Sequence, residues 1–94
     1  MYIERVSWSE AIVDKLLAKH QVLPTEAEEL LFSQPEFRFV ERGERKGEDI
    51  YAALGQTDAG RYLIVYFIMK QQNVALVLSA RDMEHKERRL YERK

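Results

Sequence analysis

The spacing of apolar and polar positions changes period partway along the chain. Trp8, Ile12 and Leu16 recur every four residues, with Val13 and Leu17 beside them, while Glu10, Asp14, Lys15 and Lys19 take the other sides. A single stripe at that spacing predicts an amphipathic helix over about 8–19. Ser7 followed by Glu10 matches a capping box at its start. Pro24 cannot continue that helix. Thr25 with Glu28 repeats the capping pattern and predicts a second short helix over 25–33, with Ala27, Leu30 and Leu31 on its buried side. Pro35 pushes Gln34 into extended backbone and closes the segment.

From residue 36 the period is two. Phe37 and Phe39 point one way, Arg38 and Val40 the other. The charged stretch 43–47, bounded by glycines, predicts a hairpin loop, and 49–54 the next strand. After a turn over 55–60, the segment 61–70 is almost wholly β-branched or aromatic, as expected of a central strand covered on both faces. Residues 71–73 turn the chain into a strand over 74–78. A charged helix follows over 82–92, with Met83, Leu90 and Tyr91 available for docking. Residues 2–6 add an edge strand. The predicted order is (β)-α-α-β-β-β-β-α, an α+β fold in which N-terminal helices and a C-terminal helix pack on an antiparallel meander of about four strands.

With 94 residues and no linker or repeat, the chain is expected to form one domain spanning 1–94. The absence of cysteine excludes disulfides, thiolate metal sites and a cysteine nucleophile, and fits a reducing cytoplasm. No apolar run is long enough to span a bilayer and no signal pattern opens the chain, so no membrane association and a cytoplasmic location are expected. Formal net charge is −1, so bulk charge does not mark a nucleic-acid binder. The charge is nevertheless polarised. Residues 81–94 hold six Lys or Arg against four Asp or Glu, whereas residues 25–50 hold four against eight. A basic end suits a phosphate backbone.

The two histidines, His20 and His85, are far apart in sequence, and no metal-ligand spacing, phosphate loop or serine-hydrolase elbow is present. No metal and no cofactor are therefore expected. The remaining candidates are dispersed. Lys19 and His20 end the first helix, where they either complement its dipole or offer an acid–base group near neutral pH. Arg81 follows a sheet strand. It suits bidentate phosphate contact or a structural salt bridge with Glu48, Asp49 or Glu87.

Taken together, several segments resemble the BrnT family of small bacterial ribonuclease toxins. These are Trp8 with Lys19-His20 and Val22 downstream, Gly47-Glu48-Asp49 through Ala53-Leu54-Gly55, and Gly60-Arg61-Tyr62-Leu63-Ile64-Val65. The most specific signature is Leu78-Ser79-Ala80-Arg81, then Glu87-Arg88-Arg89 and Tyr91-Glu92. The chain departs from the family's pattern at four places. Gln21 stands for a glycine, Ile50 for a basic residue, Ser9 for an aspartate, and Glu84 for a threonine cap, which leaves Asp82 as the expected cap of the last helix.

The resemblance implies a RelE-like fold and metal-independent RNA cleavage that inhibits translation. Its expected partners are an RNA substrate and a cognate ribbon–helix–helix antitoxin, BrnA-like, with DNA reached only through that antitoxin. In this scheme Arg81 clamps the phosphate and His20 is the general acid or base, with Lys19 as an auxiliary cation. Glu48 is a base or orients Arg81, and Tyr91 stacks on a nucleobase or donates a proton. The scheme requires Arg81 and His20 to face one shallow cleft. The alternative, motivated by Ile50, is an attenuated member that binds the antitoxin and serves regulation.

Overall fold

The structure, a computed structural model, describes residues 1–93. Its elements are β1 (Arg5–Ser7), α1 (Glu10–His20), α2 (Pro24–Phe32), β2 (Glu36–Glu41), β3 (Ile50–Gln56), β4 (Tyr62–Lys70), a 3-10 turn (Gln71–Asn73), β5 (Val74–Asp82) and α3 (His85–Glu92). The strands form one sheet in the order β1-β5-β4-β3-β2. β2 to β5 are an antiparallel meander, as the short connections predict, while β1 runs parallel to β5.

α1 and α2 cover one face of the sheet. Leu16, Val22, Leu30 and Leu31 meet Ala53, Leu63, Val65, Phe67, Val77 and Ala80 in the main core. Phe67 is its centre, wholly buried, with Phe37 edge-on at 5.9 Å and Tyr51 stacked at 6.0 Å between ring centroids. The opposite face carries a smaller cluster. Ala52, Leu54 and Ile64 lie under Tyr66, Met83 and Tyr91. Leu90, expected to dock with them, is instead exposed.

Several local expectations are corrected. Ser7 belongs to β1, paired with Leu76, so the N-cap of α1 is Ser9, whose Oγ accepts from Ile12 N–H at 3.2 Å. Trp8 precedes the helix and donates its indole N–H to Glu28 at 2.7 Å, tying α1 to α2. α2 opens one turn position earlier than expected. Pro24 sits in its first turn, where its missing N–H costs nothing, and Glu26, not Glu28, accepts from the backbone N–H of the cap Leu23 at 3.0 Å. Gln34 is left-handed (φ 60°) rather than extended. β5 runs on to Asp82, so α3 starts later than expected. Its cap is Glu84, whose backbone N–H donates to Glu87 at 2.8 Å. Asp82 serves elsewhere.

Gln21 ends α1 with φ 51°, ψ 37°, the left-handed conformation that glycine adopts without steric cost. Val22 N–H then bonds back to Leu16 C=O at 3.2 Å. Gln21→Gly is therefore expected to keep the turn and raise stability by about 0.5 kcal/mol, the relieved strain exceeding glycine's extra unfolded-state entropy. Urea denaturation at unchanged slope measures it.

Candidate functional site

A one-residue irregularity in β5 decides where Arg81 points. Tyr66 pairs with Ser79 and Phe67 with Val77, leaving Leu78 as the extra residue of a β-bulge. Ala75 and Val77 face the main core, and strict alternation would send residues 79 and 81 to that same face. The bulge inverts the phase. Ala80 faces the main core instead, and Arg81, paired with Ile64, emerges on the opposite face beside α3.

There Arg81 forms a fork with Glu87. Its Nη1 and Nη2 donate to Oε1 and Oε2 at 2.7 and 2.9 Å. Nη2 also donates to the Tyr66 hydroxyl at 3.1 Å, and Nη1 to the Asp82 carbonyl at 3.2 Å. The Glu87 hydrogen bonds hold the guanidinium protonated far above its ordinary range. In return the Arg81 bond holds the Glu87 carboxyl below its usual range. The Glu84 backbone N–H and the charge of Arg38 add to this effect, and partial burial opposes it. Tyr91, half-buried on α3, stands edge-on to Tyr62 at 6.1 Å and packs on the same small cluster. Arg88 lies 4.0 Å over the Tyr62 ring. A charged fork, a phenol and a set of aromatic rings thus gather at one end of this face.

Among the described residues, no hydrogen bond or ion pair joins His20 to Arg81, although His20 lies near enough to Asp82, the next residue along β5, to act on its charge. His20 ends α1, on the side of the sheet that the two N-terminal helices cover, and Lys19 is exposed beside it. Glu48 lies at the other end of the Arg81 face, paired with Lys70 at 3.1 Å. Lys70 is six residues along β4 from Ile64, the partner of Arg81, a separation of roughly 20 Å at strand rise. Of the expected pairings for Arg81, the one realised is the salt bridge with Glu87. Among the described residues, no three His, Cys, Asp or Glu side chains come together as a metal-holding group.

The residue that sequence reasoning missed is Arg61. Its Nη atoms donate to the carbonyls of His20 and Gln21, both at 2.8 Å, completing the C-terminus of α1. The same guanidinium reaches Glu26 of α2 at 3.1 Å and Asp82 of β5 at 2.7 Å. Asp82 is held ionised, below its ordinary range, chiefly by the Arg61 hydrogen bond, with His20 adding a smaller charge effect. The only signal was its position, the first residue after Gly60 at the mouth of a central strand. Arg61→Met removes hydrogen bonds to two carbonyls and two carboxylates. It is expected to cost about 2 kcal/mol and to lower the melting temperature by about 10 °C in a thermal scan.

Residues 8–87 match the family model described as the ribonuclease toxin BrnT of type II toxin–antitoxin systems. No curated protein matches the sequence. Among solved structures, the 1.1 Å crystal structure of the ribonuclease toxin BrnT of Brucella abortus superposes with a TM-score of 0.63. It is 18% identical, and the match covers 86% of this chain and 97% of that one. The likeness bears on the fold, with its mixed sheet and three helices.

Proposed function

The chain belongs to the BrnT family of ribonuclease toxins of type II toxin–antitoxin systems, and from that premise we propose that it cleaves RNA without a metal ion, represses translation when free and is neutralised by a cognate antitoxin. The supporting observation is the convergence of Arg81, Glu87 and the Tyr66 hydroxyl at the α3 end of a sheet face. Cleavage joins the 2′-oxygen to the neighbouring phosphorus and breaks the bond to the 5′-oxygen. A phosphate entering the fork of Arg81 displaces Glu87 oxygen. That frees the carboxylate to take the 2′-hydroxyl proton while the guanidinium meets the charge building on the phosphate. Tyr66 returns a proton to the leaving 5′-oxygen, and Tyr91 offers a ring edge to a base. The proposed step does not draw on Lys19, His20 or Glu48.

The test is incubation of RNA with purified protein, with and without EDTA. Equal rates and products ending in a 2′,3′-cyclic phosphate and a 5′-hydroxyl are expected. Cleavage that stops in EDTA and returns with magnesium would overturn the metal-free step.

One observation favours a second reading, an attenuated member kept for binding an antitoxin. All four Nη hydrogens of Arg81 are already bonded within the protein. Under that reading, expression without the antitoxin leaves growth unaffected, no RNA is cut, and the antitoxin, which would be of the ribbon–helix–helix type, still binds. DNA would then be contacted only through that partner.

A further inference from the structure

The far end of the Arg81 face holds a second concentration of charge that the reaction described above does not use. Arg5, Arg45, Lys46 and Lys70 line a recess of about 590 Å³ with Glu48 and Gln72. Glu48 answers only Lys70. Among the described residues, no carboxylate comes within ion-pair distance of Arg5, Arg45 or Lys46. Among the residues lining the recess, four cations face one carboxylate, while Glu44 and Asp49 of the same loop line the adjoining groove with Arg45 and Lys46. Like charges gathered in a concavity repel one another, and an anion placed among them removes that cost.

Three elements build the recess: the β1 edge, the 43–49 loop and the turn joining β4 to β5. That turn is held in shape by two successive left-handed residues, Gln72 (φ 62°) and Asn73 (φ 59°), and by the Glu4 N–H bonded to Asn73 C=O at 2.8 Å. Between the recess and Arg81 runs the uncovered part of the sheet face. There Ile50, Ile68 and Leu76 form a half-buried apolar row across three strands. The two cationic ends are separated by roughly 20 Å along β4.

We infer that this recess holds the phosphate backbone of an RNA strand whose scissile bond lies at Arg81, so that substrates long enough to span both ends bind more tightly than short ones. The inference rests on the ribonuclease reading for the identity of the strand. At about 3.4 Å per stacked nucleotide the span corresponds to about six nucleotides, fewer if the strand is extended. The apolar row offers a flat bed for the bases between the two anchors, and Glu48 fixes Lys70 at the mouth of the recess.

The experiment uses the double variant R45Q/K46Q, two exposed loop positions whose loss leaves the core intact. Its melting temperature should match the wild type. The probe is a fluorescent 2′-O-methyl RNA of about twelve nucleotides, which has no free 2′-hydroxyl and reports binding alone. The variant is expected to bind it about tenfold more weakly, with a salt slope shallower by about 1.4 for two lost contacts. On cleavable RNA it should raise KM for the twelve-mer at unchanged kcat, and leave a substrate of about four nucleotides unaffected. Wild-type affinity in the variant overturns the recess while leaving the ribonuclease reading intact. Tight twelve-mer binding that needs Arg45 and Lys46, without any cleavage, retires the ribonuclease reading and keeps the recess. Loss of antitoxin binding with RNA binding unchanged assigns the charges to an acidic protein partner and overturns the inference.

Discussion

Replacing Arg81 with alanine is expected to slow RNA cleavage by about 10²- to 10³-fold, the usual cost of removing one preorganised donor to a developing negative charge. Among the described residues, the guanidinium is the one cation on this face held by a strand, a helix carboxylate and a phenol together. Arg81→Lys keeps the charge but cannot span both Glu87 oxygens, so it should recover only part of the rate. Glu87→Gln separates the roles further. It leaves Arg81 without its charged partner yet removes the proposed base, so cleavage should fall although the cation is freer to meet phosphate. Single-turnover rates in EDTA measure all three. Circular dichroism checks that α3 remains docked through Met83 and Tyr91. Equal measurable rates for wild type and Arg81→Ala would remove the residue from the reaction, whereas no cleavage by either protein would favour the attenuated reading.

The largest stability effect is expected at Phe67. Truncation to alanine should cost about 3–5 kcal/mol, because the ring is wholly buried and its neighbours, Phe37 and Tyr51, belong to paired strands that cannot collapse into the space. For a chain of this length that corresponds to a fall in melting temperature of about 15–30 °C. Phe39, on the same strand as Phe37 but 59% exposed and edge-on to Tyr51 at 5.9 Å, is the control, and its alanine variant should cost only about 1 kcal/mol. A small loss at Phe67 would mean the two aromatic neighbours repack around the vacancy.

The elements were legible because each had a local cause. The four-residue spacing of Trp8, Ile12 and Leu16, and the dense β-branched and aromatic run of β4, report burial directly. The family was legible in the Ser-Ala-Arg segment and the Glu-Arg-Arg and Tyr-Glu pairs after it. The placement of the site was not. Side-chain alternation along β5 depends on the extra residue at Leu78, and nothing in Leu-Val-Leu-Ser marks which residue is unpaired. A single such residue moves Arg81 from the face that α1 covers to the face that α3 covers. Caps were misplaced for a related reason. Ser7 and Thr25 have suitable side chains, but Ser7 is drawn into long-range pairing with β5, and Pro24 fixes an earlier start for α2. The role of Arg61 depends on four groups distant in sequence, and no local pattern announces it.

The parallel pairing of β1 with β5 has a consequence for how the chain comes together. β2 to β5 associate through neighbours in sequence, so the meander needs only short loops to close. β1 joins residues near the start of the chain to Val74, Ala75 and Leu76, a closure spanning most of its length, and is therefore the last strand to be added. Until then the outer edge of β5 presents unpaired amides between apolar side chains, a template for another molecule's strand. The three residues of β1 contribute little area, yet their presence guards a newly made chain against self-association.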